Sequence, residues 1–181
     1  MSQQVTDIPH DVGSIRIRQA HSEDASAIWR IVRESGVLDP NSAYLYLILC
    51  TDFAETCVVA EWDGALVGFV TAYRPPSRQD VIFVWQIGVA AAGRRRGLGK
   101  RLLRHLLQAP ACRDVRYLEA TVAPSNHASK RLFTSVAESL GVPYEMGLGF
   151  TSDDFPEGSH EDEPRIRIGP ITTTTPSRVR D

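Results

Sequence analysis

The chain has 181 residues, 43% of them hydrophobic, and a formal net charge of −2 at neutral pH. This length and apolar content are sufficient for one folded domain with a sizeable core. The slightly negative charge excludes a general nucleic-acid binder, which carries a strong positive excess, and the longest apolar run is too short to cross a bilayer.

The N-terminal segment and the cysteines show no catalytic or targeting pattern. Residues 1–14 are polar, contain no apolar signal core and predict a flexible arm, so we expect a cytoplasmic protein. Cys50, Cys57 and Cys112 show neither a CxxC pair nor a metal-ligand spacing. We expect them to be small core residues, and we expect no metal requirement and no membrane partner.

The first half of the chain predicts one strand, two helices and a β-hairpin. Ser22 is the expected N-cap of the first helix, and Asn41 or Ser42 is that of the second. The dipeptide Asp63-Gly64 is a strong signal for the hairpin turn. In chain order we expect a strand over 15–20, a helix from Ser22 to Gly36, a helix over 41–53 and a hairpin over 56–74.

The second half alternates strands with amphipathic helices. Ser125 or Asn126 is the expected N-cap of the last helix, which ends at Gly141. In chain order we expect a buried strand over 81–89, a helix over 98–108, a strand over 115–122, the last helix, an extended segment over 141–150, an acidic loop over 152–163, a strand over 164–169 and a disordered tail over 170–181. This order predicts one α/β (α+β) domain over 15–169, with a central mixed, mostly antiparallel sheet of about six to seven strands and about four helices.

The segment GRRRGLGK, residues 93–100, joins the buried strand to an amphipathic helix. The first N–H groups of a helix lack partners, and their summed dipole favours an anion. Gly97 and Gly99 have no Cβ, so a ligand can approach the backbone closely, and the arginines over 94–96 add bidentate phosphate donors. The turn therefore fits a diphosphate, and a plain solvated helix start is the alternative.

Two familiar glycine motifs do not match this segment. A Walker loop needs G-x-x-x-x-G-K-[ST], but Gly93 lies only four residues before Gly97, and Lys100 is followed by an arginine. The dinucleotide fingerprint G-x-G-x-x-G has a different order of glycines and belongs in the first βα unit. Neither a Walker-type nor a dinucleotide site is therefore expected here.

The glycine turn resembles a known family signature. The run Arg94-Arg95-Arg96-Gly97-Leu98-Gly99 resembles the Q/R-x-x-G-x-G/A acetyl-CoA motif of the GNAT family of N-acetyltransferases. The run from Asn126 to Phe133 is similar to a second element of that family, N-x-x-[AS]-x-x-L-[YF]. The resemblance extends over the order of elements from 15 to about 169. It implies a GNAT fold, acetyl-CoA as co-substrate, no nucleic-acid partner and a homodimer.

Several stretches that are not general GNAT features resemble the L-2,4-diaminobutyrate acetyltransferases of ectoine biosynthesis. They are LDPNSAYLYLILCTDFAETCVVAE, GFVTAYRPP, FVWQIGV, APSN and GSHEDE. This resemblance implies acetyl transfer to the 4-amino group of diaminobutyrate by direct attack of the amine on the thioester. Two alternatives stay open: a GNAT enzyme for a polyamine, an aminoglycoside or a peptide, and a non-catalytic acetyl-CoA-binding module.

The resemblance also implies which residues bind acetyl-CoA. The strand edge at Ile87, Gly88 and Val89 is expected to pair with the amide-rich pantetheine arm and to donate an N–H to the thioester oxygen. The other expected cofactor residues are Arg94, Arg95, Arg96, Gly97, Leu98, Gly99, Lys100, Asn126, Ser129 and Phe133.

The acid–base groups depart from the common family pattern. The strand over 81–89 contains no Glu, and its Gln86 cannot accept a proton. Phe133 stands where the family often has a Tyr that can protonate the thiolate. A primary ammonium has a pKa near ~10, so the reaction needs a base. The candidate bases, acting through water, are Glu119, Glu161 and His160, and the candidate acid is Tyr44.

The implied substrate carries two amines and one carboxylate, so its pocket needs both an acid and a hydrogen-bond donor. Asp39 is the expected partner of the 2-ammonium, and a plain turn residue is the alternative. The acidic loop over 160–163 is expected to attract a cationic substrate, and a merely solvated loop is the alternative. The other expected pocket residues are Trp85 and Gln86 in the wall and Thr121 and Arg74 for the carboxylate.

Overall fold

The computed structural model describes residues 14–156 and 160–172 and contains one seven-stranded sheet. The strands are β1 Arg16–Gln19, β2 Val58–Trp62, β3 Ala65–Tyr73, β4 Val81–Val89, β5 Tyr117–Thr121, β6 Tyr144–Phe150 and β7 Glu163–Ile168. The helices are α1 Ala25–Ser35, α2 Ala43–Thr51, α3 Leu98–Gln108 and α4 His127–Leu140. None of the helices within the described ranges has the length and apolar content of a membrane span.

The strand order in the sheet is β1-β2-β3-β4-β5-β7-β6. Neighbouring strands are antiparallel, except that β4 and β5 run parallel and are joined by the crossover helix α3. This architecture confirms the predicted fold class. The predicted N-terminal arm, apart from Ser14, and the part of the predicted tail beyond residue 172 lie outside the described residues.

Helices cover both faces of the sheet, and alternate strand residues divide between two cores. On the face covered by α3 and α4, Leu102 is buried in one cluster with Val70. On the face covered by α1 and α2, Ile28 and Tyr46 are buried with Phe69. Phe69 and Val70 belong to different cores because successive strand residues point to opposite faces.

Backbone conformation and side-chain caps set the ends of the elements. Gly36 ends α1 with φ 67°, in the left-handed region. Asp63 and Gly64 have φ of 50° and 76° and form the predicted turn between β2 and β3. Ser42 caps α2 and Asn126 caps α4 with their side-chain oxygens, which resolves both alternatives in the predicted caps.

The prediction that Ser22 caps α1 is wrong. Ser22 begins a 3₁₀ turn, and the Asp24 carboxylate at the end of this turn accepts a hydrogen bond of 2.8 Å from the His21 N–H. The same carboxylate accepts bonds of 2.7 and 2.8 Å from Arg18. Burial raises the pKa of the Asp24 carboxyl, but these hydrogen bonds outweigh it and leave the pKa below its ordinary value. This ionised carboxylate, and not a serine hydroxyl, therefore fixes the entry to α1.

The three cysteines are buried, free thiols, as predicted. Burial raises the pKa of Cys50 to about 11, of Cys57 to about 12 and of Cys112 to about 11. A thiol with such a pKa is almost entirely protonated at neutral pH, and the thiolate is the nucleophilic form. The cysteines are therefore packing residues.

The parallel pair β4 and β5 separates after three paired residues. Val81 to Phe83 pair with Tyr117 to Glu119, whereas β4 continues along β3 as far as Val89. Thr71 lies opposite Gln86 and the next residue, Ala72, lies opposite Val84, so Trp85 is the extra residue of a β-bulge. The separation opens a gap in the sheet, and the bulge sets the side-chain directions along one side of it.

The ordered domain extends slightly beyond its predicted end at residue 169. The Ile171 N–H donates a hydrogen bond of 2.7 Å to the Arg116 carbonyl, and the Ile171 side chain packs against the main core. The start of the predicted tail is therefore part of the folded domain.

Candidate active site

A cleft of about 1130 Å³ lies where β4 and β5 separate. Its walls come from the α1–α2 loop, β4, the end of β5, the start of α4 and the chain from 150 to 165. The sequence-predicted site residues that line the cleft are Asp39, Trp85, Gln86, Ile87, Thr121, Asn126, Ser129, Phe133, His160 and Glu161. The fold therefore brings together site residues from distant parts of the chain.

The helix α3 begins with an uncapped N-terminus. Gly97 precedes the helix with φ 64°, and no side chain caps it. The first intrahelical bond runs from the Arg101 N–H to the Gly97 carbonyl, at 3.2 Å. The N–H groups at the start of the helix therefore have no partner in the preceding turn, and this geometry suits an anion.

The cationic side chains of this segment are partly held by the protein. The Arg94 Nε–H donates to the Val89 carbonyl at 3.4 Å, and the Lys100 Nζ donates to the Ser135 Oγ at 3.1 Å. The Arg96 Cζ lies 4.2 Å from the centre of the Trp62 ring, within the range of a cation–π contact. Trp62 therefore fixes the direction of one arginine of the glycine turn over 93–100.

Gly99 has a different role from the one predicted. A Cβ at Gly99 would lie 3.2 Å from the Leu132 Cδ2 of α4, so this glycine permits close packing of α3 against α4. A Cβ at Gly97 would meet nothing within 4 Å, but the positive φ there favours glycine. Gly97 therefore shapes the turn, and Gly99 lets α3 pack closely against α4.

The C-terminal half of β4 forms one edge of the cleft. Ile87, Gly88 and Val89 pair with β3 on one side only, because β5 has turned away after Phe83. In an antiparallel ladder, part of the backbone N–H and C=O groups points away from the partner strand. These groups are free to bond to an extended, amide-containing ligand, as predicted for the pantetheine arm.

Three acidic or basic groups meet at the other end of the cleft. The His160 Nδ1 lies 3.8 Å from the Asp39 Oδ2 and 3.9 Å from the Glu163 Oε1. The second Glu163 oxygen accepts a hydrogen bond of 2.6 Å from the Thr121 hydroxyl, and the Phe155 ring stacks on His160 with centroids 4.2 Å apart. We name Asp39, His160 and Glu163 the acidic cluster.

The acidic cluster suits a cation. One ligand atom from each of its residues lies within 4.8 Å of the others, and this set is the one group of metal-ligand type within residues 14–156 and 160–172. Two carboxylates and one imidazole fit the charge and hydrogen bonds of an ammonium, and they fit a divalent cation as well. The predicted absence of a metal requirement stays a prediction.

Gln86 and Trp85 take different positions because of the β-bulge. The buried Gln86 amide accepts a hydrogen bond of 2.8 Å from the Tyr46 hydroxyl and donates one of 2.9 Å to the Asp39 carbonyl. Gln86 therefore holds the loop that carries Asp39. Trp85 is 45% exposed and forms part of the cleft wall, so it is not a core residue.

The sequence model of the Acetyltransferase (GNAT) family matches residues 15–137. The chain belongs to the GNAT family. The match covers β1 to most of α4 and includes the glycine turn over 93–100, the open edge of β4 and the Asn126 cap. The family predicted from the sequence is therefore confirmed.

Relatives within the GNAT family share most of the chain. A protein named L-2,4-diaminobutyric acid acetyltransferase from Marinococcus halophilus is 45% identical over 172 residues, covering 95% of this chain and 99% of that protein. A protein of the same name from Halalkalibacterium halodurans is 48% identical over 158 residues, covering 87% of this chain and 83% of that protein.

A solved structure is also similar over nearly the whole chain. It is diaminobutyrate acetyltransferase EctA from Paenibacillus lautus, in complex with L-2,4-diaminobutyric acid and coenzyme A. The TM-score is 0.86 at 40% identity, covering 90% of this chain and 99% of that chain. The ribosomal-protein-S18-alanine N-acetyltransferase from Escherichia coli has a TM-score of 0.63 at 21% identity and shares the fold.

Glu119 is poorly suited to act as the GNAT base. Its side chain is fully buried and accepts hydrogen bonds of 2.6 Å from Arg78, 2.9 Å from Arg165 and 2.5 Å from Arg167. Burial raises the pKa of the Glu119 carboxyl, but the hydrogen bonds and charges of Arg78 and Arg165 outweigh it and lower the pKa below its ordinary value. A carboxylate held this firmly accepts a proton less readily than an ordinary one.

Two other sequence-predicted residues lie away from the site. Tyr44 is 69% exposed on α2 and does not line the cleft, whereas Tyr46, two residues on, is buried and contacts Gln86. Arg74 follows the end of β3, and its guanidinium donates hydrogen bonds to the backbone carbonyls of Gln79 and Ala111 in neighbouring loops. Neither Tyr44, the predicted acid, nor Arg74, the predicted carboxylate partner, therefore lines the cleft.

The remaining base candidates are His160 and Glu161. Glu161 accepts hydrogen bonds from both the Ser125 hydroxyl and, at 3.3 Å, the Ser125 N–H, and so links the acidic loop to the start of α4. His160 lies between two carboxylates and has a side chain that is 26% exposed. Thr121 has one hydroxyl proton, which it donates to Glu163, so it is not free to donate to a substrate carboxylate.

The sequence interpretation missed the basic side of the cleft. Arg78 and Arg165 both line the cleft, and Arg165 also lies over the Phe83 ring. The alternating run PRIRIG carries a signal for this arrangement, because it places Arg165 and Arg167 on the same face of β7. The run does not show which strand lies beside β7. Only the pairing of β7 with β5 brings this face of β7 to Glu119.

Proposed function

We propose that this GNAT enzyme transfers the acetyl group of acetyl-CoA to the 4-amino group of L-2,4-diaminobutyrate, forming N4-acetyl-L-2,4-diaminobutyrate in ectoine biosynthesis. The observation that carries the proposal is that the acidic cluster and the open β4 edge line the same cleft, because this arrangement suits an amine acceptor and an acyl donor together. The named relatives and the solved complex support the same substrate pair.

The donor half of the reaction uses the backbone. The diphosphate of acetyl-CoA binds the unpaired N–H groups at the start of α3, with the arginines over 94–96 neutralising its charge. The pantetheine amides bond to the free edge of β4. An N–H between Ile87 and Val89 then points at the thioester oxygen and stabilises the charge that develops there.

The acceptor half uses the acidic cluster. Asp39 and Glu163 bind the 2-ammonium of the substrate, while Trp85 closes the wall beside it. The 4-amino group loses its proton through water to His160, and its lone pair attacks the thioester carbonyl carbon. The tetrahedral intermediate collapses by breaking the C–S bond, and the excess proton on its nitrogen passes through water to the coenzyme A thiolate. The coenzyme A thiolate, with a pKa near ~8.5 by analogy with cysteine, leaves without a strong acid.

The first test is thiol release from acetyl-CoA with a panel of amines: diaminobutyrate, ornithine, lysine, spermidine and a peptide. We expect fast turnover with diaminobutyrate alone and, by NMR, acetylation of its 4-amino group. Turnover of a different amine would contradict the proposed substrate but not the proposed acetyl-CoA site. Coenzyme A binding without turnover of any amine would favour a non-catalytic module. A chelator is expected to leave the rate unchanged, because no metal is needed.

We also propose a cytoplasmic homodimer that needs no nucleic-acid or membrane partner. The three unpaired cysteines are consistent with a reducing compartment. The strand β6 at the edge of the sheet exposes Met146, Leu148 and Phe150, an apolar surface that a second copy can cover. Sedimentation equilibrium tests the homodimer, and a monomer at micromolar concentration would contradict it.

A further inference from the structure

The cleft carries a basic group beside the acidic cluster. Glu119, a single buried carboxylate, is surrounded by Arg78, Arg165 and Arg167, so three positive charges face one negative charge. Arg167 lies over the Tyr117 ring and does not line the cleft, whereas Arg78 and Arg165 do. Arg78 and Arg165 therefore offer the cleft positive charge that Glu119 does not neutralise, together with N–H donors for an anionic ligand.

Arg165 is held in place while part of its guanidinium stays free. Its Nη1 donates to Glu119 at 2.9 Å, and its Cζ lies 5.6 Å from the Phe83 ring centre. On the β6 side its register partner is Gly147, where an added Cβ would meet nothing within 4 Å. The side chain is 27% exposed, so a ligand can reach it from the cleft.

The spacing along β7 matches the head group of an α-amino acid. Glu163 and Arg165 are two residues apart on one strand, so they lie on the same face about 7 Å apart. The ammonium and carboxylate of an α-amino acid are attached to one carbon and can fit between two such partners. Given the proposed function, on which this inference rests, we propose that Arg165, supported by Arg78, binds the substrate carboxylate and makes the enzyme selective for an α-amino acid over a plain diamine.

The matched probe is 1,3-diaminopropane, which is diaminobutyrate without its carboxylate. For the wild-type protein we expect kcat/KM to be about 100-fold higher for diaminobutyrate, since a charge-assisted hydrogen-bonded pair is worth a factor of this size. A preference below about 3-fold would overturn the inference. Turnover of neither amine would instead contradict the proposed function, so the two failures are distinguishable.

Arg165→Gln tests the residue itself, with Arg167→Gln as its control, because both arginines contact Glu119 but only Arg165 lines the cleft. We expect R165Q to raise KM for diaminobutyrate about 30-fold, with little change for 1,3-diaminopropane. R167Q is expected to change both amines equally. If R165Q affects both amines equally, Arg165 is structural and the inference fails. Circular dichroism checks folding; should R165Q not fold, the wild-type preference and Arg78→Gln decide the question.

Discussion

The proposed donor and acceptor halves of the site bind their ligands by different means. The donor half is formed by a contiguous turn over 93–100 and by the free edge of β4, so most of its hydrogen-bond donors are backbone N–H groups. The acceptor half is formed by side chains from the α1–α2 loop, β5, β7 and residue 160. Backbone donors survive most side-chain changes, whereas a site made of side chains loses a partner with each one.

This difference also separates the binding of the acyl donor from the recognition of the amine. Any acyl-CoA presents the same diphosphate and amides to the donor half, which needs only a correctly shaped backbone. The acceptor half must recognise one amine, and we propose that it does so with opposite charges at short range: the acidic cluster on one side and Arg165 on the other. Changes in the acceptor half should therefore act on the amine, and changes in the turn should act on acetyl-CoA.

The largest effect is expected for Asp39→Asn. Removing this charge deletes one partner of the substrate ammonium, while Gln86 still holds the Asp39 carbonyl and the loop. We expect kcat/KM for diaminobutyrate to fall between about 10-fold and about 150-fold, with KM for acetyl-CoA unchanged. Steady-state kinetics with each substrate varied in turn measures both. D52N, at the exposed end of α2, is the control. An equal rise in both KM values would show that the two halves are not separate.

The next effect concerns stability at low pH and the variant Glu119→Gln. The pKa of Glu119 is lowered in the folded protein, so its ionisation stabilises the fold fully above its unfolded pKa of about 4.3. That stabilisation is lost as pH falls through the lower, folded pKa. We expect E119Q to reduce the unfolding free energy by about 2 kcal/mol at pH 7, since it leaves the arginines without a counter-charge.

Urea unfolding of both proteins from pH 7 to pH 3 measures this effect. The difference between wild type and E119Q should shrink at the acid end, because Glu119 of the unfolded wild type is protonated there and the stabilisation from its ionisation in the folded state is progressively lost. Asp24, whose pKa is also lowered, contributes equally to the two proteins and cancels in the difference. A difference that does not change with pH would mean that packing, and not charge, explains the loss.

A smaller effect is expected for Gly97→Ala in the donor half. An alanine at φ 64° costs about 1 kcal/mol or deforms the turn, and deformation misplaces the N–H groups at the start of α3. We expect KM for acetyl-CoA to rise about 5-fold. Gly141→Ala is a matched control, because Gly141 has φ 65° and equally open surroundings but ends α4. Both variants should lose similar stability, and only G97A should bind acetyl-CoA less well.

The same division explains what the sequence could predict. The strand, glycine turn and helix start of the proposed donor half can be predicted because their residues are contiguous and their backbone geometry is local. The order of the elements and the two helix caps at Ser42 and Asn126 are local in the same sense. Of the acceptor half, the resemblance supplied Asp39 and the acidic loop, but their mutual contact depends on tertiary structure.

The wrong predictions have identifiable physical causes. Tyr44 and Tyr46 could not be ranked from the sequence, because the run AYLYLILC is apolar on every side of α2 and its periodicity does not show which face is buried. Arg165 is not among the pocket residues expected from the sequence, because the local sequence does not show that it faces the cleft. The place of Arg165 depends on the pairing of β7 with β5, two strands far apart in the chain.

The smallest effect should come from Trp62, a side chain that acts on the donor half. The cation–π contact of Arg96 with Trp62 is worth about 0.5 to 1 kcal/mol at an exposed site. We therefore expect Trp62→Leu to raise KM for acetyl-CoA between about 2-fold and about 5-fold, with KM for diaminobutyrate unchanged. Trp29→Leu removes the other Trp–Arg stack, that with Arg33, and serves as the control.

A double-mutant cycle separates positioning from simple loss of packing. If Trp62 acts by directing Arg96 at the phosphates, W62L should have no further effect on KM for acetyl-CoA once Arg96→Ala is present. If the two effects add, Trp62 supports the turn independently of Arg96. In that case the side chains of the donor half act only through packing, and its ligand contacts come from the backbone. The donor half would then differ even more from the acceptor half, whose ligand contacts come from side chains.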